Sequence, residues 1–203
     1  MLLAFDTSSA ACTAALFDES GACVGQANEL IGRGHAERLV PMIAGLLDGR
    51  RCQEILVGVG PGSFTGIRVA IAAAHGLAIG WGAQLRGMSS LALLAAGAQS
   101  EGEIAAAVIG GHGELFVQEF DAATFLSTSE LRCQVPAEAA RTTRAGLVVG
   151  SGARMIIEAR GSGEAREVFP SAANALRLPI SMRNLPPKPV YARAPDARVQ
   201  EAA

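Results

Sequence analysis

The chain has 203 residues, 50% of them apolar and 18% charged, with a formal net charge of −2. That supplies enough apolar surface for one large core or two small ones, and the composition argues against a disordered chain. A protein that grips nucleic acid by itself carries a basic face, because counterion release supplies most of the affinity; this chain has no basic excess, so work on nucleic acid would need a partner.

Residues 2–5 read as a short buried strand, 6–9 as polar turn chemistry and 13–17 as a second strand. Asp18-Glu19-Ser20-Gly21 is a hairpin signal, and residues 22–27 return as a third strand. Ala36, Leu39, Val40, Ile43, Leu46 and Leu47 follow the i, i+3, i+4, i+7 pattern of a helix starting near His35. Pro41 should kink that helix or mark a late start. Residues 55–59 suit a buried parallel strand. A glycine-rich loop, a helix over about 65–79, a short strand over 84–88 and a helix capped by Ser89 and ending near 98 follow.

The order β-β-β-α-β-α-β-α is that of the ribonuclease-H-like half-domain of the actin/sugar-kinase superfamily. The expected fold class is therefore α/β: a ribonuclease-H-like N-terminal domain over 1–100 and a reduced second α/β domain over 101–203. In the second half, residues 104–109 and 114–120 pair as strands across Gly110-Gly111-His112-Gly113. Residues 147–149 form another strand, 161–163 a turn and 172–178 a weak helix, and the C-terminal segment can return to the first domain.

Lys188 is the only lysine, set in an extended Pro-Pro-Lys-Pro run, so a lysine nucleophile or phosphate clamp is nearly excluded. The four cysteines lack C-x-x-C spacing and read as free thiols of a reducing compartment. The N-terminus has no basic region and Asp6 interrupts its apolar start, which argues against a signal peptide. The apolar stretch over 69–79 is too short to span a bilayer. A cytoplasmic protein without a membrane partner is expected.

The strongest candidate site is Gly60-Pro61-Gly62-Ser63-Phe64-Thr65-Gly66-Ile67-Arg68, between a strand and a helix. Gly62, Ser63, Thr65 and Gly66 could cradle a phosphate at the helix start, or simply build a tight, self-capped turn. Asp6, Thr7 and Ser8 are a second candidate: a phosphate-contacting hairpin or an Asx turn satisfying its own backbone. His35 has Leu39 four residues on where a helical metal site wants a second histidine, so capping or interface duty is the better reading and no metal is expected. Small residues at Ala70, Ala72, Ala73, Ala74, Gly76, Ala78 and Gly80 allow close helix packing, either on the chain's own sheet or on another subunit.

Ala4-Phe5-Asp6-Thr7-Ser8, Gly34-His35-Ala36-Glu37-Arg38-Leu39-Val40-Pro41-Met42-Ile43, the Gly60–Arg68 loop and Gly87-Met88-Ser89-Ser90-Leu91 resemble the TsaB family in the same order. Pro189-Val190-Tyr191-Ala192-Arg193-Ala194-Pro195-Asp196 resembles its closing segment. The Gly110–Gly113 loop departs from it. The resemblance implies a non-catalytic subunit that pairs through N-terminal helices with the catalytic subunit TsaD, joined by the ATPase TsaE. Together they threonylcarbamoylate the adenosine beside the anticodon of tRNA. No cofactor is then expected for this chain, the partner subunits use ATP, and tRNA is met only through the complex. His35, Leu39, Ile43, Arg68, Ala70 and Ala73 become partner-interface candidates, and the isolated chain could form a homodimer through the same helices. Asp6, Thr7, Ser8, Gly62, Ser63, Thr65 and Gly66 become vestigial phosphate loops. The competing readings are a stand-alone kinase-like or ATPase-like enzyme and a peptidase-like enzyme of the same superfamily.

Overall fold

The computed structural model describes residues 1–191. Strands β1 (Leu2–Asp6), β2 (Ala11–Phe17), β3 (Cys23–Leu30), β4 (Glu54–Gly58) and β5 (Gln84–Met88) form a sheet in the order β3-β2-β1-β4-β5. The β1-β2 and β2-β3 pairs are antiparallel, and β1-β4 and β4-β5 are parallel. Parallel neighbours need long crossovers. Helices α1 (His35–Leu47) and α2 (Phe64–Trp81) supply them, and α3 (Ser90–Ala96) follows β5. This is the ribonuclease-H-like arrangement read from the sequence.

The second sheet repeats it. Strands β6 (Glu103–Ile109), β7 (Leu115–Asp121), β8 (Arg132–Gln134), β9 (Leu147–Val149) and β10 (Glu164–Arg166) run in the order β10-β9-β6-β7-β8. Antiparallel and parallel pairs fall in the same places as in the first sheet. Helices α4 (Pro136–Thr142) and α5 (Ala153–Arg160) and a 3-10 helix over Ala172–Arg177 occupy the positions of α1, α2 and α3. The repeat is shrunken: β8, β9 and β10 have 3 residues each.

Alternation along the central strands builds a five-layered core. Leu3 and Phe5 of β1 point to α1 and α2, while Ala4 points the other way, toward α3. On β6, Ala105 and Ala107 join the α4–α5 side, whereas Ile104, Ala106 and Val108 join the α3 side. The layer between the two sheets is α3 with the 3-10 helix, and every residue of α3 is buried. Strands buried on both faces read as continuous apolar runs, as β1, β4 and β6 do.

Three expectations need correction. β3 continues to Leu30, because an edge strand with alternating exposure hides its length in polar residues. α1 starts at His35 and runs on through Pro41, so Pro41 does not mark a late start; it lies on an exposed part of the helix where the lost amide bond can be replaced by water. α2 spans 18 residues, long and apolar enough by length and composition to cross a membrane, where the sequence suggested a shorter stretch. Arg193 and the other residues of the closing segment beyond Tyr191 lie outside the described residues.

Because α3 is shared, the two sheets should unfold together. Leu93, fully buried in that layer, is the test: Leu93→Ala should cost about 2–5 kcal/mol in denaturant unfolding while keeping one transition. Two separated transitions would contradict a shared core.

Candidate functional site

β1, β4 and β5 end at the same edge of the first sheet, the position where open α/β sheets present ligand sites. Asp6 stands at the end of β1 and is fully buried. Its Oδ1 accepts the amide and the hydroxyl of Ser8, both at 2.7 Å. Its Oδ2 accepts the Ser90 hydroxyl at 2.5 Å, and Ser90 Oγ in turn accepts the Gly60 amide at 3.0 Å. The carboxylate is thus tied to the strand ends and faces inward.

The two candidate phosphate loops close on each other. Thr7 Oγ1 donates to the Gly66 carbonyl at 2.7 Å, and the Ser63 amide donates to the Ser8 carbonyl at 2.6 Å. Ser63 Oγ accepts the Gly66 amide at 3.2 Å, capping α2. The glycines make this approach possible. A Cβ on Gly58 would lie 1.8 Å from Asp6 Oδ2, one on Gly62 2.2 Å from the Ser8 carbonyl oxygen, and one on Gly66 1.9 Å from that of Thr7. Thr65 is exposed beside them. The loop is a tight turn that caps its own helix.

At the start of α2, the Arg68 guanidinium stacks 3.6 Å over the Phe64 ring and its Nε donates to Tyr191 Oη at 3.0 Å. The C-terminal segment that carries Tyr191 reaches this point by pairing with β5 through Leu185 and Gly87 and by the Val190 amide donating to Val59 O. Phe64, Ser90 and Tyr191 stand in stretches quoted from the sequence, but none was assigned a role there. A hydroxyl bridging residues 6 and 60 has no sequence signature.

Between the sheets lies a cleft of about 210 Å³. Ser8, Ser9 and Ser63 line one side, and Val108, Ile109 and Ser151 the other; among the described residues no charged side chain lines it. Among the described residues, no three His, Cys, Asp or Glu side chains gather as a metal-ligating group. Burial pushes the Cys12 thiol up to about 11, further from a nucleophilic thiolate.

The interface candidates separate into two sets. Leu39, Ile43 and Ala70 are buried against the sheet, so their placement on a partner surface is corrected: the i, i+4 stripe that carries them is the stripe α1 and α2 turn inward. His35 is 9% exposed, with Nε2 buried and unpartnered, and Ala73 is half-buried. Arg68 is exposed but engaged by Phe64 and Tyr191. The outward faces of α1 and α2 present other residues: Val40 at 53% exposure, Ile79 at 84%, and exposed Ala36, Ala44, Ala72 and His75. A Cβ on Gly45, Gly76 or Gly80 would meet nothing within 4 Å.

Two ribonuclease-H-like sheets facing each other across a cleft define a two-lobed α/β protein of the actin/sugar-kinase architecture. The family model described as "TsaD: tRNA N6-adenosine threonylcarbamoyltransferase" matches residues 24–172. The chain belongs to that family and, within it, to the TsaB group. It is 35% identical over 127 residues to the tRNA threonylcarbamoyladenosine biosynthesis protein TsaB of Escherichia coli, covering 59% of this chain and 54% of that one. It is 38% identical over 114 residues to TsaB of Haemophilus influenzae, covering 52% and 48%. The chain spans about half the length of these curated relatives. Among solved structures, a Pseudomonas aeruginosa protein described as similar to the peptidase YeaZ superposes with a TM-score of 0.81 at 30% identity, covering 95% of this chain and 99% of that one. YeaZ of Pseudomonas aeruginosa superposes at 0.79 with 29% identity, covering 94% and 98%.

Loop closure can be tested with two glycines. Gly66→Ala should lower unfolding stability by about 2–3 kcal/mol, since backbone must move. Gly76→Ala, in open space within a helix, should raise it by up to ~1 kcal/mol. Equal effects in denaturant titration would contradict the packing described.

Proposed function

We propose that this chain is a non-catalytic subunit in threonylcarbamoyladenosine biosynthesis on tRNA. It pairs through the outward faces of α1 and α2 with a TsaD-type catalytic subunit, joined by a TsaE-type ATPase. The complex modifies the adenosine next to the anticodon in the cytoplasm. This chain takes no cofactor of its own, and ATP is used by the partner subunits. The names of its relatives support the pathway.

The observation that carries the pairing is the state of α2. Of its 18 residues, only Gly66, Ile67, Ala70, Ile71 and Ala74 are buried, although the helix is apolar nearly throughout. Exposed apolar surface of that extent marks an interaction site. The small residues on it let another helix approach closely. A protein partner suits it better than a lipid bilayer, because α2's inner side already packs on its own sheet and Arg68 and His75 lie within it. The non-catalytic reading is supported by the closed loops and by a cleft that no charged side chain lines among the described residues, since a polyphosphate needs paired cations or many free donors.

Ile79→Glu and Ala72→Glu place a charge on the outward face. Both should remain folded with stability within about 0.5 kcal/mol of the parent, yet weaken binding to TsaD at least about thirtyfold by calorimetry. If the isolated chain is a homodimer, the same variants should be monomers by sedimentation. Leu39→Asp should instead fail to fold. Undiminished pairing by both outward variants would remove α2 from the interface.

A further inference from the structure

The second lobe's outer elements differ in chemistry from the first lobe's. Beside β8 and α4 opens a cavity of about 470 Å³, lined by Arg132, Arg141 and Arg144, by Glu103 and Glu119, and by hydroxyls including Thr128. Glu119 is 4% exposed. Its Oε1 accepts the backbone amides of Arg144 at 2.6 Å and Ala145 at 2.9 Å, and its Oε2 accepts Arg132 Nη2 at 2.8 Å. Burial raises the Glu119 carboxyl, but the Ala145 amide, Arg132 and the Arg144 amide together hold it below the usual carboxylate range. Its charge is neutralised inside the protein, where it fixes both the Arg132 guanidinium and the backbone that carries Arg144.

What remains is a cationic excess. Arg132 Nε is buried without a hydrogen-bond partner, and its Nη1 reaches the Thr142 carbonyl only at 3.5 Å. Buried donors are nearly always paired, so an unpaired one beside a cavity is a position that an acceptor oxygen would complete. Arg141 and Arg144 are exposed, and among the described residues their guanidiniums have no hydrogen-bond or ion-pair partner. With Glu119 matched by Arg132, these two guanidiniums face one carboxylate, that of Glu103.

We propose that this cavity binds a phosphate group. Guanidinium forks match the tetrahedral oxygens of phosphate, and hydroxyls supply further donors. The cavity is larger than one phosphate, so the group can belong to a small phosphorylated molecule or to an RNA backbone. The proposal does not depend on the pairing reading, since it concerns the isolated chain and the opposite lobe.

The full-length chain, labelled with 15N, is titrated with inorganic phosphate against sodium chloride of equal ionic strength, and separately with a tRNA anticodon stem-loop. The amides of Arg144 and Ala145 and the Nε–Hε of Arg132 are followed by NMR. At least one probe should shift them saturably. The double variant Arg141→Gln/Arg144→Gln, which removes side chains without partners and should keep the melting temperature, should weaken that response about tenfold or more. A response to inorganic phosphate assigns the site to free phosphates; a response to the stem-loop alone assigns it to RNA backbone. No shift with either probe, or shifts that survive unchanged in the double variant, overturns the proposal.

Discussion

A single buried carboxylate, that of Asp6, holds the site edge of the first sheet together. An ionised carboxylate taken out of water without partners costs several kcal/mol, so it must be met by donors. Here the Ser8 amide, the Ser8 hydroxyl and the Ser90 hydroxyl meet it, and Ser90 passes the constraint to the Gly60 amide. One residue thereby joins the ends of β1, β4 and β5. The closure of the loops over it follows, and so does the need for glycine at positions 58, 62 and 66, where a Cβ would collide with Asp6, Ser8 or Thr7. The part of the chain that looks most like a phosphate cradle also locks secondary-structure elements together.

The doubled architecture gives the molecule two outer faces of unlike character. Both lobes carry a pair of crossover helices outside a five-stranded sheet. In the first lobe the pair is long, apolar and small-sided on its exposed surface, chemistry suited to burial against another protein. In the second lobe α4 and α5 have 7 and 8 residues, and arginines surround the nearby cavity. The shared α3 layer keeps the two faces in fixed relation, because it contributes to the cores of both sheets. A chain with no basic excess overall can still concentrate positive charge locally, and this one does so on the lobe away from the apolar helices.

Sequence periodicity made the first lobe legible. Its strands have 5 to 8 residues and its crossover helices 13 and 18, long enough for a period to show. The second lobe was less so: β8 and β10, with 3 residues each, are too short to display alternation, and α4 and α5, with 7 and 8, are too short to repeat a helical stripe, whereas β9, equally short, showed as an apolar run. The helical stripe through Leu39 and Ile43 was visible, but a stripe does not say whether it meets its own sheet or a partner. Burial answers that for those residues, and leaves Val40, Ala72 and Ile79 on the outward faces of the two helices. The Gly60–Arg68 loop was ambiguous because its closure depends on Thr7, Ser8 and Ser90, a tertiary fact. The arginine cavity was invisible, since Glu119, Arg132 and Arg144 share no local pattern.

The central claim is that this chain promotes catalysis by a partner without performing it. The direct measurement is reconstitution of tRNA threonylcarbamoylation from the donor-synthesising enzyme, TsaD, TsaE, tRNA, threonine, bicarbonate and ATP, with this chain, without it, or with its Ile79→Glu variant. Product is quantified by mass spectrometry of digested tRNA. The account predicts product with the parent chain, little without it, and little with the folded variant. Equal product in all three reactions would contradict it.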